Sequence, residues 1–142
     1  MHIEPFQPRH LEALVLQPSQ AVFSRFFDPE YGPSLQNAGP CFSALEGDEI
    51  LACSGIVKQW DNRAIAWALI SGNAGNQFVR IHKAVKRFLD STEFNRVEAY
   101  VDANFDAGHR WIQMLGFSRE GYMREFMPDG HDAVLYARLK NG

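Results

Sequence analysis

The sequence predicts a mixed α/β fold in one domain, and three observations carry that expectation. A length of 142 residues suits one domain and leaves little room for a second. The chain is 46% hydrophobic and 13% aromatic, with eleven Phe, so it can fill a core. Strand-sized apolar runs alternate with segments of helical period, and no internal repeat or linker separates them. With no long run of like charge and no polar tract, disorder, collagen and coiled coil are excluded for the chain as a whole.

His2 to Phe6 reads as an opening strand. Pro8 to Leu16 reads as a helix with proline near its start, where a missing N–H costs nothing. Pro18 interrupts it, and Ser19 can cap a second helix running to about Phe27. Asp28 to Pro40 holds Pro29, Pro33, Pro40, Gly32 and Gly39 and reads as a loop with one helical turn at most. A loop of that length inside a domain often forms a substrate-binding lip.

From Cys41 the pattern turns to strands. Cys41–Leu45 and Ile50–Val57 predict a hairpin about Gly47-Asp48. Ala64–Ile70 is apolar enough to be covered on both faces. After a Gly/Asn loop, Gln77–Leu89 is an amphipathic helix, with Phe78, Ile81, Val85 and Phe88 on one face and Arg80, Lys83 and Arg87 on another. Arg96–Val101 is the next strand. Phe105–Leu115 is a helix stopped by Gly116, a natural left-handed cap. Phe117–Phe126 and Ala133–Leu139 are two last strands joined by a Pro128-Asp129-Gly130 turn.

No apolar stretch approaches the roughly 20 residues that cross a bilayer. The N-terminus has neither the basic nor the apolar region of a signal peptide. Cys41 and Cys53 supply neither a disulfide framework nor a zinc set and read as buried thiols of a reducing compartment. These features predict a cytoplasmic protein without membrane contact. The net charge of −3 gives no reason to expect nucleic acid as a direct partner. Charge is unevenly placed, however. Residues 1–57 hold two basic and seven acidic side chains, whereas 58–142 hold twelve and ten, most densely basic between Arg80 and Arg87.

From Asn104 the sequence reads Asn-x6-Trp-x3-Leu-Gly-Phe-x2-Glu-Gly-x2-Arg-Glu, then Asp-Gly-x-Asp-x2-Leu-Tyr to Tyr136. This segment resembles the C-terminal half of the GNAT N-acetyltransferase superfamily, and within it the branch that acetylates ribosomal-protein N-termini. The match rests on Leu115-Gly116-Phe117, Glu120-Gly121, Arg124 and Asp129-Gly130, and the element order agrees over nearly the whole chain. More weakly, the chain resembles acetyltransferase-like and internal virion proteins of short-tailed phages, which would place it in a host cytoplasm. The resemblance implies the GNAT fold over residues 1–142: a mixed, mostly antiparallel sheet of six to seven strands, splayed at the cofactor site and flanked by helices.

The resemblance also implies acetyl-CoA as cofactor, with its pyrophosphate on backbone N–H groups between the fourth strand and the following helix. Unpaired amides and the positive end of a helix dipole suit a phosphate there. The corresponding residues are Gly72, Asn73, Ala74, Gly75, Asn76 and Gln77, with Arg80 and Lys83 beside them and Asn104 opening the last helix. The family's marker is Gln/Arg-x-x-Gly-x-Gly/Ala. With Gly75 at its first Gly, Gly72 and Gln77 occupy the other two marker positions and depart from it. The splayed strands would be Ala64–Ile70 and Arg96–Val101, with Ala68, Leu69 and Ile70 as backbone donors to the thioester carbonyl.

Acetyl transfer needs a deprotonated amine, a polarised carbonyl and a protonated leaving thiolate. The family's usual acid, a Tyr four residues before the Gly of Leu-Gly-Phe, is Ile112 here. Tyr100 and His109 are the substitutes, each also readable as a core aromatic and a surface helix residue. Glu98 and Asp102 are the candidate bases, each also readable as a surface or capping carboxylate. The five His show no metal-ligand spacing, so no metal is expected. The reading is therefore an acetyl-CoA-dependent N-acetyltransferase acting on a protein or peptide amine, N-terminal or Lys. The rival readings are a GNAT-fold protein that acts by binding a partner and a small-amine acetyltransferase. A homodimer stays open.

Overall fold

The computed structural model describes residues 1–140, so the last two residues of the expected 1–142 domain lie outside the described residues. One seven-stranded sheet runs in the order β1-β2-β3-β4-β5-β7-β6. Its strands are β1 (His2–Pro5), β2 (Cys41–Glu46), β3 (Glu49–Trp60), β4 (Arg63–Ile70), β5 (Arg96–Asp102), β6 (Ser118–Met123) and β7 (Ala133–Leu139). All neighbours are antiparallel except β4 and β5. This is the mixed, mostly antiparallel sheet that the sequence predicts.

Helices cover both faces. On one face, α3 (Phe78–Ser91) and α4 (Asp106–Met114) bring Ile81, Val85, Leu89 and Ile112 against Ala52, Ile56, Val97 and Val101. On the other, α1 (Pro8–Ala13) and α2 (Tyr31–Ala38) bring Leu11 and Leu35 against Phe6, Leu45, Ile50 and Leu69. Gly116 ends α4 at φ 95, where a side chain would be strained and would press on Arg138 Nε. Cys41 and Cys53 are free thiols, and burial pushes that of Cys53 up to about 11. No helix of the described residues is long and apolar enough to cross a membrane.

Besides β3, which runs on from the expected Val57 to Trp60, three segments depart from the sequence reading. Tyr31–Ala38 is helical where a loop was expected. Pro33 falls in the first turn, where its missing N–H has no partner to lose. Asp28 Oδ1 accepts the Glu30 and Tyr31 amides at 2.9 and 3.0 Å and so holds the turn that enters α2. Second, α1 stops at Ala13, and Pro18–Phe26 is a 3-10 helix. The extended residues between them bond to the end of β4: Gln17 N–H donates to Ile70 O (3.0 Å) and Gly72 N–H to Val15 O (2.8 Å). Third, β6 ends at Met123 because Glu125 turns the backbone at φ 52 and donates its N–H to Asp132 Oδ1.

Candidate active site

The parallel pair β4–β5 holds register only over Arg63↔Arg96, Ala64↔Val97 and Ile65↔Glu98. Beyond that the strands part, and a cavity of about 480 Å³ opens between them. Its walls come from β3, β4 and β5, from α2, α3 and α4, from the 3-10 helix and from the turn after β6.

At the paired end, Glu98 is buried under two guanidinium groups. Arg63 donates to both of its oxygens at 2.7 Å and Arg96 Nε to Oε2 at 2.6 Å, while Arg96 also grips Glu120. These donors hold the Glu98 carboxyl down at about 2. Glu98 does not line the cavity and already has its cations.

At the open end, backbone direction decides which amides are available. Along a strand, one residue's N–H and C=O point to one side and its neighbours' to the other. Ile70 N–H donates to Gln20 Oε1 at 2.9 Å, and Ala68 O accepts from Gln20 Nε2 at 2.8 Å. Ala68 and Ile70 therefore present their backbone groups to the gap, and Leu69 presents its own to β3. Of the three expected donors, Ala68 N–H faces the gap without a protein partner among the described residues, and Ile70 N–H is held by Gln20. Gln20 is further fixed by Gln17 Nε2 at 3.0 Å. With the extended stretch Val15–Gln17, it takes up the edge of β4 that β5 leaves.

The loop after β4 is partly self-satisfied. Asn73 N–H donates to Ser71 Oγ, Ala74 N–H to Ser71 O and Gln77 N–H to Ala74 O. Together with Gly72, this commits four of the expected phosphate-binding amides. Those of Gly75 and Asn76 have no protein partner among the described residues, and Gly75 sits at φ 50, where glycine is favoured. Arg80 and Lys83 are exposed one and two turns on. Two open amides, a helix start and two cations suit a diphosphate, so this end of the site fits CoA.

The remaining sequence candidates separate. Tyr100 lines the cavity and stacks on Phe126, with ring centroids 4.7 Å apart. Asp102 also lines it; its Oδ1 accepts the Asn104 amide and its Oδ2 accepts from His131 Nδ1 at 2.8 Å. The Asp102 carboxylate raises His131 above its ordinary pKa. Asp129 joins them, and the three ligand-type atoms lie within 4.8 Å, a grouping that no sequence spacing signals. Asn104 is exposed just before α4.

His109 does not line the cavity. Its Nε2 meets the Ala103 carbonyl at 3.1 Å. A carbonyl only accepts, so Nε2 carries the proton, and Nδ1 accepts from the Tyr136 hydroxyl at 2.7 Å. Ile112 is in the wall, so the place of the family's Tyr is apolar. Gln20, Phe23 and Phe126 also line the cavity and were not singled out from sequence, and Trp67, which reads from sequence as a core or groove-wall ring, lines it too. For Gln20 no signal exists, since a glutamine on a short helix fits no motif.

No protein-family model and no curated protein sequence matches the chain. Solved structures do. The aminoglycoside 6'-acetyltransferase type Ii superposes with a TM-score of 0.74 at 15% identity, covering 99% of this chain and 97% of that one. The ribosomal-protein-S18-alanine N-acetyltransferase from Escherichia coli gives 0.73 at 16%, covering 97% and 92%. A variant spermidine N-acetyltransferase from Vibrio cholerae gives 0.71 at 12%, covering 99% and 96%. The chain thus has the fold of the GNAT N-acetyltransferases, as the motif from Asn104 onward implies.

Proposed function

We propose that the protein is an acetyl-CoA-dependent N-acetyltransferase whose acceptor is the α-amine of a protein or peptide. The observation that carries this reading is the through-sheet gap between β4 and β5, with the Ala68 N–H directed into it. Acetyl-CoA would supply a thioester whose carbonyl carbon exchanges sulfur for the amine nitrogen, the amine releasing one proton and the thiolate gaining one. The chain's own parts fit that task. Gly75, Asn76, Arg80 and Lys83 would hold the diphosphate. Ala68 N–H would donate to the carbonyl oxygen. Tyr100 is the wall hydroxyl available to the thiolate, and Asp102 the wall carboxylate available to the amine proton through water.

An α-amine is the acceptor that asks least of this site. Its pKa of about 7.7–8.0 leaves a sizeable neutral fraction at pH 7, whereas a lysine at about 10.4 requires a strong base. Among the described residues the only carboxylate in the cavity wall is Asp102, which already carries His131.

Calorimetric titration with acetyl-CoA tests the reading. Binding in the micromolar range is expected, and no heat at ~1 mM ligand would remove the enzyme. Two features support a second reading, a partner-binding protein of the same fold: the apolar Ile112 and the Gln20 carboxamide on the edge of β4. On that reading, Gln20→Ala would leave the protein unable to bind acetyl-CoA. On the enzyme reading, freeing Ile70 N–H would tighten binding several-fold.

A further inference from the structure

The two mouths of the gap differ in chemistry, and the difference identifies what enters by one of them. Side-chain alternation turns Ala66, Ala68, Ala99 and Val101 toward α3 and α4 and turns Trp67 and Tyr100 the other way. On that second side the cavity is walled by the rings of Phe23, Tyr31, Trp67, Tyr100 and Phe126. Among the described residues no Lys, Arg, Glu or His lines any part of it, and the single acid is Asp102. Arg25, from the 3-10 helix, reaches the Pro128 carbonyl at 3.5 Å, so the turn after β6 is tied across this mouth.

Such a wall selects by charge and shape. A polyamine or an aminoglycoside brings several ammonium groups, and each one lacking a carboxylate loses its hydration without compensation. One ammonium is accommodated over the aromatic faces, beside an Asp102 whose Oδ2 already accepts from His131, and a flat apolar group next to it fills the remaining rings. We propose that this mouth takes a singly charged amine carried next to an aromatic side chain, namely the N-terminus of a peptide whose first residue is aromatic. The proposal rests on the acetyltransferase reading for its chemistry and on the ring wall for its selectivity.

Two measurements on the purified full chain separate these supports. Fluorescence titration reads binding without turnover, because Trp67 and Trp111 line the cavity while the exposed Trp60 adds a constant background. A Phe-Ala-Gly tripeptide should bind at least 10-fold more tightly than Asp-Ala-Gly or spermidine without any cofactor. Equal binding of the three, or tighter spermidine, overturns the proposal. Phenethylamine forms a further arm: if it matches the tripeptide, the ring and the amine suffice and the peptide assignment falls.

Release of free CoA from acetyl-CoA then reads the reaction, with the same ranking expected in kcat/KM. Selective binding without CoA release would sink the enzyme while leaving the aromatic acceptor site in place. Tyr100→Leu keeps apolar volume and removes the π face. It should weaken Phe-Ala-Gly about 5-fold and leave the uncharged 2-phenylethanol unchanged. Equal losses for both ligands would mean packing alone, with no role for the ammonium over the ring.

Discussion

The two ends of the β4–β5 pair are built from opposite materials. One end is closed by a charge cluster, in which Glu98 lies between Arg63 and Arg96 and Arg96 reaches on to Glu120. The other is open, walled by alanines and aromatic rings, and its strand edge is occupied by a glutamine side chain instead of a strand. Parallel pairing and separation thus follow each other within one pair of strands. The difference teaches that the fold fixes a gap by clamping one side of it. The clamp uses charge where stability is needed and leaves the far side free of it.

The largest expected effect lies at the clamp. Glu98→Gln leaves Arg63 without its carboxylate and Arg96 with Glu120 alone, and should cost about 3 kcal/mol, read as a lower urea midpoint with unchanged m-value. A loss under about 1 kcal/mol would mean that the gap needs no clamp. The pH dependence follows the same logic. Glu98, held at about 2, is depressed below its ordinary 4.5, so its contribution is complete above pH 4.5 and is lost as pH falls toward 2. His131 has the opposite sign: its pairing with Asp102 contributes below pH 6.5 and is lost as pH rises through its raised pKa. Thermal melts of Glu98→Gln should therefore be flatter than wild type between pH 4.5 and 2, and those of His131→Asn flatter on the alkaline side.

A smaller effect is expected at the edge of β4. Gln20→Ala removes the hydrogen bonds to Ala68 O and Ile70 N–H, which water in the cavity can partly replace, and should cost about 1 kcal/mol. Faster hydrogen exchange at the Ile70 amide, with that at Leu69 unchanged, would locate the change. The smallest belongs to Tyr100→Phe. No protein group bonds its hydroxyl among the described residues, so stability should stay within about 0.5 kcal/mol. Acetyl transfer should nevertheless slow if that hydroxyl serves the leaving thiolate. An unchanged rate would remove Tyr100 from the chemistry.

Much of the frame was legible because its signals are local. Ala133–Leu139 is found with the expected bounds, α3 lies within a residue or two of its amphipathic pattern, and Gly116 caps α4 as a left-handed glycine. The helix α2 was hidden because Gly32 and Pro33 weigh against helix, while the Asp28 bonds that support it appear only once the turn is closed. At the site, the gap between β4 and β5 was placed by the order of the elements along the chain. What sequence did not contain was direction. Strand alternation sets Ala68 apart from Leu69, and two bonds turn His109 from a candidate acid into a link between Ala103 and Tyr136. Asp102 and His131 stand far apart in sequence and meet only through the turn between β6 and β7.

The glutamine on the edge of β4 bears on how this protein behaves among copies of itself. A strand that loses its neighbour in mid-sheet exposes unpaired backbone groups, and such an edge invites a strand from another molecule. Gln17 N–H and the Gln20 carboxamide engage Ile70 O, Ile70 N–H and Ala68 O within the chain, which leaves the Ala68 N–H inside the cavity. Gln20 and the stretch before it thus act as an edge guard, letting the sheet stay open at its centre without becoming a template for aggregation.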